Sequence, residues 1–156
     1  MPEKAAAPLR LFLSRAYGLD WDKTGGEPMQ QHGDFTMQRD GQILICRPVG
    51  VFNLQGAMAY EPLFMRAAME IADQPWAVLE VARGFEAGIP EVIARFRNQF
   101  KWCAENNCQY LAVVFDGHYK KFFADQVFQG LPFKELRYFK HEDEGREWLH
   151  ACLAGL

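Results

Sequence analysis

Past residue 34 the chain alternates short apolar runs with longer amphipathic stretches. Phe35–Gln38 and Gln42–Val49 flank Arg39-Asp40-Gly41, and a glycine in a short loop between two apolar runs predicts an antiparallel hairpin. Asn53 is placed to cap a helix running through Ala72, with Pro62 expected to kink it or restart it. Trp76–Ala82 is apolar but for Glu80 and predicts a mostly buried strand. Ile89–Asn106 predicts the most regular helix, with Val92, Ile93, Phe96, Phe100, Cys103 and Ala104 on one face and Pro90 in its first turn. Tyr110–Phe115 reads as another buried strand. His118–Gln129 reads as a helix with Tyr119, Phe122, Phe123 and Val127 on its apolar side, closed by Gly130. Leu136–Lys140 and His141–Leu153 supply the last strand and the last helix.

Ahead of these elements, Pro8–Gly18 carries Leu9, Phe12, Leu13, Ala16 and Tyr17 at helical spacing, and Lys23–Asp34 has the composition of a linker. The expected organisation is therefore residues 1–34 as an N-terminal amphipathic helix and linker, and 35–156 as the main domain. Alternating strands and helices place parallel strands in one sheet, joined by right-handed crossovers. The fold class is α/β: a mostly parallel five-stranded sheet, its first strand antiparallel. Such crossovers stack helices on one face, so the N-terminal helix is expected to shield the other. On that face Arg47 and Glu80 are expected to pair across strands, because a lone carboxylate in a buried strand is costly.

Tyr110-Leu-Ala-Val-Val-Phe-Asp116, Leu136-Arg-Tyr-Phe-Lys140, the acidic turn His141-Glu-Asp-Glu144 and the Trp148-Leu149 pair resemble the ending of the SpoIIAA-like family of bacterial proteins. The resemblance spans Phe35 to Leu153. It implies a β-α superhelix related to STAS domains and, more distantly, to the lipid-binding SEC14 domains, whose members bind and regulate. In anti-sigma-factor antagonists of that type, a serine near the start of the helix after the strand matching Trp76–Ala82 is phosphorylated. Here that loop reads Arg83-Gly84-Phe85-Glu86-Ala87-Gly88-Ile89-Pro90. It has no hydroxyl to accept a phosphate, so the phosphoswitch does not carry over.

Composition narrows the remaining choices. The chain has 17 basic and 20 acidic residues and a formal net charge of −3, which leaves no reservoir of positive charge for nucleic acid. No apolar run is long enough to span a membrane, and Glu3, Lys4, Arg10 and Arg15 interrupt the N-terminal stretch. A cytoplasmic protein is expected. Ser14 is the only serine, and Thr24 and Thr36 are the only threonines. A hydrolase built on Asp116 and His118 would thus lack a serine or threonine nucleophile anywhere in the main domain after Thr36. His32-Gly33-Asp34 and Asp116-Gly117-His118 lack the spacing of strong zinc motifs, so no metal and no cofactor is expected. Cys46, Cys103 and Cys152 read as small core residues, whereas Cys108, after two asparagines, is expected near the surface.

Ligands of open α/β sheets sit outside the carboxyl ends of the strands. That rim collects Asn53, Arg83, Phe85, Glu86, Asp116, His118 and Tyr119 as candidate ligand- or partner-binding residues. Trp102 joins them as a large apolar group on the polar side of its helix, and Phe128 is expected to be a second such contact group. The first expectation is a non-enzymatic STAS-like regulatory or protein-binding module lacking the phosphorylatable serine. The alternative is a carrier or sensor of a small hydrophobic ligand, held in an aromatic-lined cavity between the sheet and the helix carrying Phe122 and Phe123. The partner is an unknown protein or such a ligand, and a homodimer stays open.

Overall fold

A computed structural model describes residues 31–87 and 89–156. Six strands and four helices follow in the order β1 (Asp34–Asp40), β2 (Ile43–Phe52), α1 (Leu54–Met69), β3 (Trp76–Val81), β4 (Gly84–Ala87), α2 (Pro90–Glu105), β5 (Cys108–Val114), α3 (His118–Phe128), β6 (Glu135–Phe139) and α4 (Glu142–Ala154). The strands lie side by side as β1-β2-β3-β5-β6, with β4 paired separately to β2. β1 and β2 form the expected antiparallel hairpin, and every other pairing is parallel.

Five of these strands match the sequence pattern, and the sheet has a sixth. The loop after Trp76–Ala82 is not irregular throughout: Gly84–Ala87 pairs in parallel with Val49–Phe52. β2 is correspondingly longer than predicted, since its first half pairs with β3 and its second half with β4. A four-residue strand opening on glycine carries too little alternation to be read from sequence.

The sheet has a core on each face. On one, Leu44, Cys46, Trp76, Val78, Leu111 and Val113 pack with Tyr60, Phe64, Phe96, Phe100, Val127 and Phe128 from α1, α2 and α3. On the other, Ile43, Ile45, Ala77, Leu79, Tyr110, Ala112 and Val114 pack with Leu149, Trp148, Cys152 and Leu153. These last four belong to α4, so α4 covers the face that the N-terminal helix was expected to shield. Gly145 lets it approach closely: a Cβ there would sit 3.0 Å from Leu79 Cδ1. The predicted helix at 8–18 and the linker lie outside the described residues, apart from residues 31–34.

α1 starts where Asn53 Oδ1 accepts from the Gly56 backbone N–H at 2.8 Å, a side-chain cap for an otherwise orphaned donor. The same oxygen accepts from His32 N–H at 3.0 Å, which fastens the chain entry to the helix. Gly56 is required by that closeness, because a Cβ would fall 1.9 Å from His32 O. Pro62 neither stops nor restarts α1, which runs through it to Met69 and ends short of Ala72. It is buried with Tyr60, Phe64 and Met65, and packing outweighs the missing backbone hydrogen bond there. α2 and α3 are joined by Arg97, whose Nη1 donates to Gln129 O at 2.7 Å and to Val127 O at 3.3 Å. A cation thereby meets the free carbonyls of the α3 C-terminus.

Candidate functional site

The strand ends bring most of the predicted rim together, but in altered roles. Asn53 is the α1 cap described above. Arg83 is exposed, and its Nη2 donates to Lys140 O beyond the end of β6. Glu86 and Asp116 are exposed, and His118 and Tyr119 open α3. Phe85 is partly buried. It lies in edge contact with Phe52 and Phe96, ring centroids 5.3 and 5.1 Å away. Phe85 stands opposite Gly50 in the β2–β4 register, so it points to the helix-covered face like its neighbour Phe52.

The alternate residues of β2 point the other way, and beyond the reach of α4 they are bare. Val49 and Val51 are each 56% exposed, in register with Gly84 and Glu86. Ile89, at the α2 N-cap, is 43% exposed. Val49 and Val51 thus share one exposed strand face with Glu86, while Arg83, Ile89 and Asp116 are exposed in the segments that leave the carboxyl ends of the strands. Ending β2 at Val49 hid this feature, because the last exposed valine falls beyond that boundary.

Trp102 is separate from the rim. It lies near the C-terminal end of α2, which is tied to the start of β3 by Trp76 Nε1 donating to Asn106 O at 2.7 Å. It is partly buried and borders a groove of about 400 Å³ between α1 and α2, together with Glu61, Met65, Arg95, Asn98 and Gln99. Arg95 Nη1 and Glu61 Oε2 pair at 3.0 Å. Burial pushes the Glu61 carboxyl above the usual range, and Arg95 opposes that rise. Gln99 was the readable signal for this groove, as the one polar residue in the apolar series Val92, Phe96, Cys103.

Phe128 is also not a contact group: it is 5% exposed and meets Phe100 at a centroid distance of 4.8 Å. Phe122 is 60% exposed instead. The buried series Ala124, Val127, Phe128 sets the phase of α3, turning Phe122 outward. The space between α3 and the sheet, bounded by Ala82, Phe85, Phe115, Phe123 and Val127, measures about 20 Å³. That is room for about one water.

The expected Arg47–Glu80 pair does not form. Glu80 stands opposite Cys46 in the β2–β3 register, so it faces the three-helix core while Arg47 faces α4 and pairs with Glu142. Glu80 is 3% exposed and its Oε2 accepts no hydrogen bond. Desolvation pushes its carboxyl well above the ordinary value, favouring the neutral acid. Its electrostatic neighbours are Cys46, Tyr60 and Cys103, all themselves raised by burial. Cys108 is buried rather than near the surface, because β5 begins there and pairs it with Trp76; its Sγ donates to Tyr110 O at 3.6 Å. Burial raises that thiol as well. Among the described residues no group of three His, Cys, Asp or Glu is placed to hold a metal, and no helix is long and apolar enough to cross a membrane.

No family model and no curated protein matches the sequence. Solved structures do match in three dimensions. An uncharacterized protein of the DUF3478 family with a SpoIIAA-like fold, from Shewanella loihica PV-4, superposes with a TM-score of 0.55 at 14% identity, covering 80% of this chain and 99% of that one. The fold is SpoIIAA-like. An anti-sigma factor antagonist from Mycobacterium paratuberculosis shares it, with a TM-score of 0.51 at 13% identity over 76% of this chain and 94% of that one. The SpoIIAA-like frame has β3 lead through β4 into α2, and this connection, 82–89, contains no serine or threonine.

Proposed function

We propose that this chain is a non-enzymatic, STAS-like regulatory module that binds a protein partner at the carboxyl end of its sheet, without phosphorylation control there. The observation that carries this reading is the exposed pair Val49 and Val51 on the second half of β2, in register with Gly84 and Glu86 of β4. Large aliphatic groups exposed on a strand, with Arg83 and Glu86 on the adjoining segment, suit a protein surface. The fold shared with an anti-sigma factor antagonist supports a regulatory role. The β3–α2 connection offers no hydroxyl, so binding is controlled by something other than a phosphate at this place. The rival reading, a carrier of small hydrophobic ligands, needs room between α3 and the sheet, where about 20 Å³ is open.

The test is affinity capture from a bacterial lysate with the wild-type chain and with Val49→Asp combined with Val51→Asp. Both side chains are exposed, so the double variant should keep its fold by circular dichroism. It should lose a partner that wild type retains, and phosphatase treatment of the wild-type chain should change nothing. Equal capture by both proteins contradicts the assignment.

A further inference from the structure

The groove between α1 and α2 plays no part in that reading and lies along the helices rather than at the carboxyl rim. Its volume, about 400 Å³, falls toward the small end of the roughly 300–1,000 Å³ typical of small-molecule sites. Arg95, Asn98, Gln99 and Trp102 follow one another at helical spacing, and Glu61 and Met65 are one turn apart. Each helix therefore turns a single stripe to the groove.

Three properties define what would fit. Gln99 is 6% exposed, yet neither its Oε1 nor its Nε2 has a hydrogen-bond partner. An apolar side chain at this position of the Val92–Phe96–Cys103 series would avoid leaving both ends of an amide unmet. The groove's charges, by contrast, are already matched, since Arg95 and Glu61 pair at 3.0 Å. A charged ligand would have to break that pair, so the groove favours a neutral one. Trp102 and Met65 supply a flat ring and an adaptable apolar wall.

We propose that this groove binds a small, neutral, planar molecule with a hydrogen-bond donor and acceptor side by side on one edge, the pattern of a lactam or a nucleobase. A carboxamide presents its own N–H and C=O side by side, so such an edge closes two hydrogen bonds with Gln99 at once. The terminal torsion of a glutamine is broad, so the amide turns toward the ligand at little cost. The ring then lies against Trp102 while Glu61 and Arg95 keep their pair.

The experiment follows the Gln99 side-chain amide and the Trp102 indole N–H by NMR in the isotope-labelled full chain, titrated with uracil and with hypoxanthine. Both signals should shift and saturate. 1,3-Dimethyluracil keeps the ring but has no N–H donor, and it should bind about tenfold more weakly, the effect of one hydrogen bond. Gln99→Met should abolish saturable binding. Should that variant not fold, Trp102→Ala at the groove's edge carries the same expectation. Absence of saturation at millimolar probe overturns the proposal. So does equal binding of the dimethyl analogue, or unchanged binding after substitution.

Discussion

On the α4 face of the sheet the charged groups stand at the margin and are paired, whereas on the three-helix face Glu80 and Gln99 are buried with polar atoms left over. Arg47 meets Glu142, and Asp40 Oδ2 accepts from Arg146 Nε at 2.9 Å and contacts His150 Nε2 at 2.8 Å. These bridges clamp α4 to the β1–β2 hairpin around an apolar centre of Ile43, Ile45, Leu79 and Leu149. On the opposite side, Glu80 Oε2 and both Gln99 amide atoms make no hydrogen bond. Buried polar groups are thus matched around α4 and left unmatched under the three helices, and unmatched buried groups mark places where stability is not the only demand.

Substitutions on the two faces should therefore differ in sign. The largest effect belongs to Leu149→Ala, which removes a fully buried side chain from the α4 core. It should destabilise the chain by about 2–5 kcal/mol in urea unfolding. Glu80→Met on the other face should do the reverse and stabilise by about 1–3 kcal/mol at neutral pH, by replacing an unpartnered buried acid with an apolar side chain. The pH dependence carries the same contrast. Glu80 has a raised folded-state value, so its contribution is fully present below the ordinary glutamate value and is lost as pH rises toward the raised one. Unfolding curves from pH 4 upward should show that decline in wild type and a flatter profile in Glu80→Met. A variant less stable than wild type at neutral pH would mean that the carboxyl is usefully partnered.

Smaller effects test the attachments. Asn53→Ala should cost about 1 kcal/mol through loss of the α1 cap, and somewhat more if the His32 contact adds to it; thermal melts give the value. Asp40→Asn should cost no more than about 1 kcal/mol, because the bridges to α4 are partly exposed. Hydrogen bonds from Arg146 and His150 hold the Asp40 carboxyl below the ordinary range. Its contribution is thus present above the ordinary aspartate value and lost as pH falls toward the folded one. Acid titrations of stability should be shallower in the variant.

The alternation of elements was legible because each long segment had one clear period: two for Phe35–Gln38, 3.6 for Ile89–Asn106. Faces were harder to read. Placing Glu80 beside Arg47 was a slip of one residue, since Glu80 pairs with Cys46, and one residue moves a strand side chain to the other side of the sheet. Phe122 and Phe128 exchanged roles for a similar reason, as the four aromatics of α3, Tyr119, Phe122, Phe123 and Phe128, leave its phase to the partners it meets. Cys108 looked exposed because Asn106-Asn107 reads as a turn, yet the strand begins directly after it. Of the candidate site, Arg83, Glu86 and Asp116 were legible as loop charges. Val51 was not, because its exposure depends on where α4 stops covering the sheet. The groove depends on two helices meeting, and of its lining only Trp102 stood out in the sequence, as a large apolar group on a polar helix face.

Hydrogen–deuterium exchange on the chain with and without its captured partner tests the proposed function most directly. Exchange should slow at residues 49–52 and 84–87, with α4 unchanged. Protection confined to α4 or to the β1 edge, with the carboxyl rim exchanging as in the free chain, would contradict it.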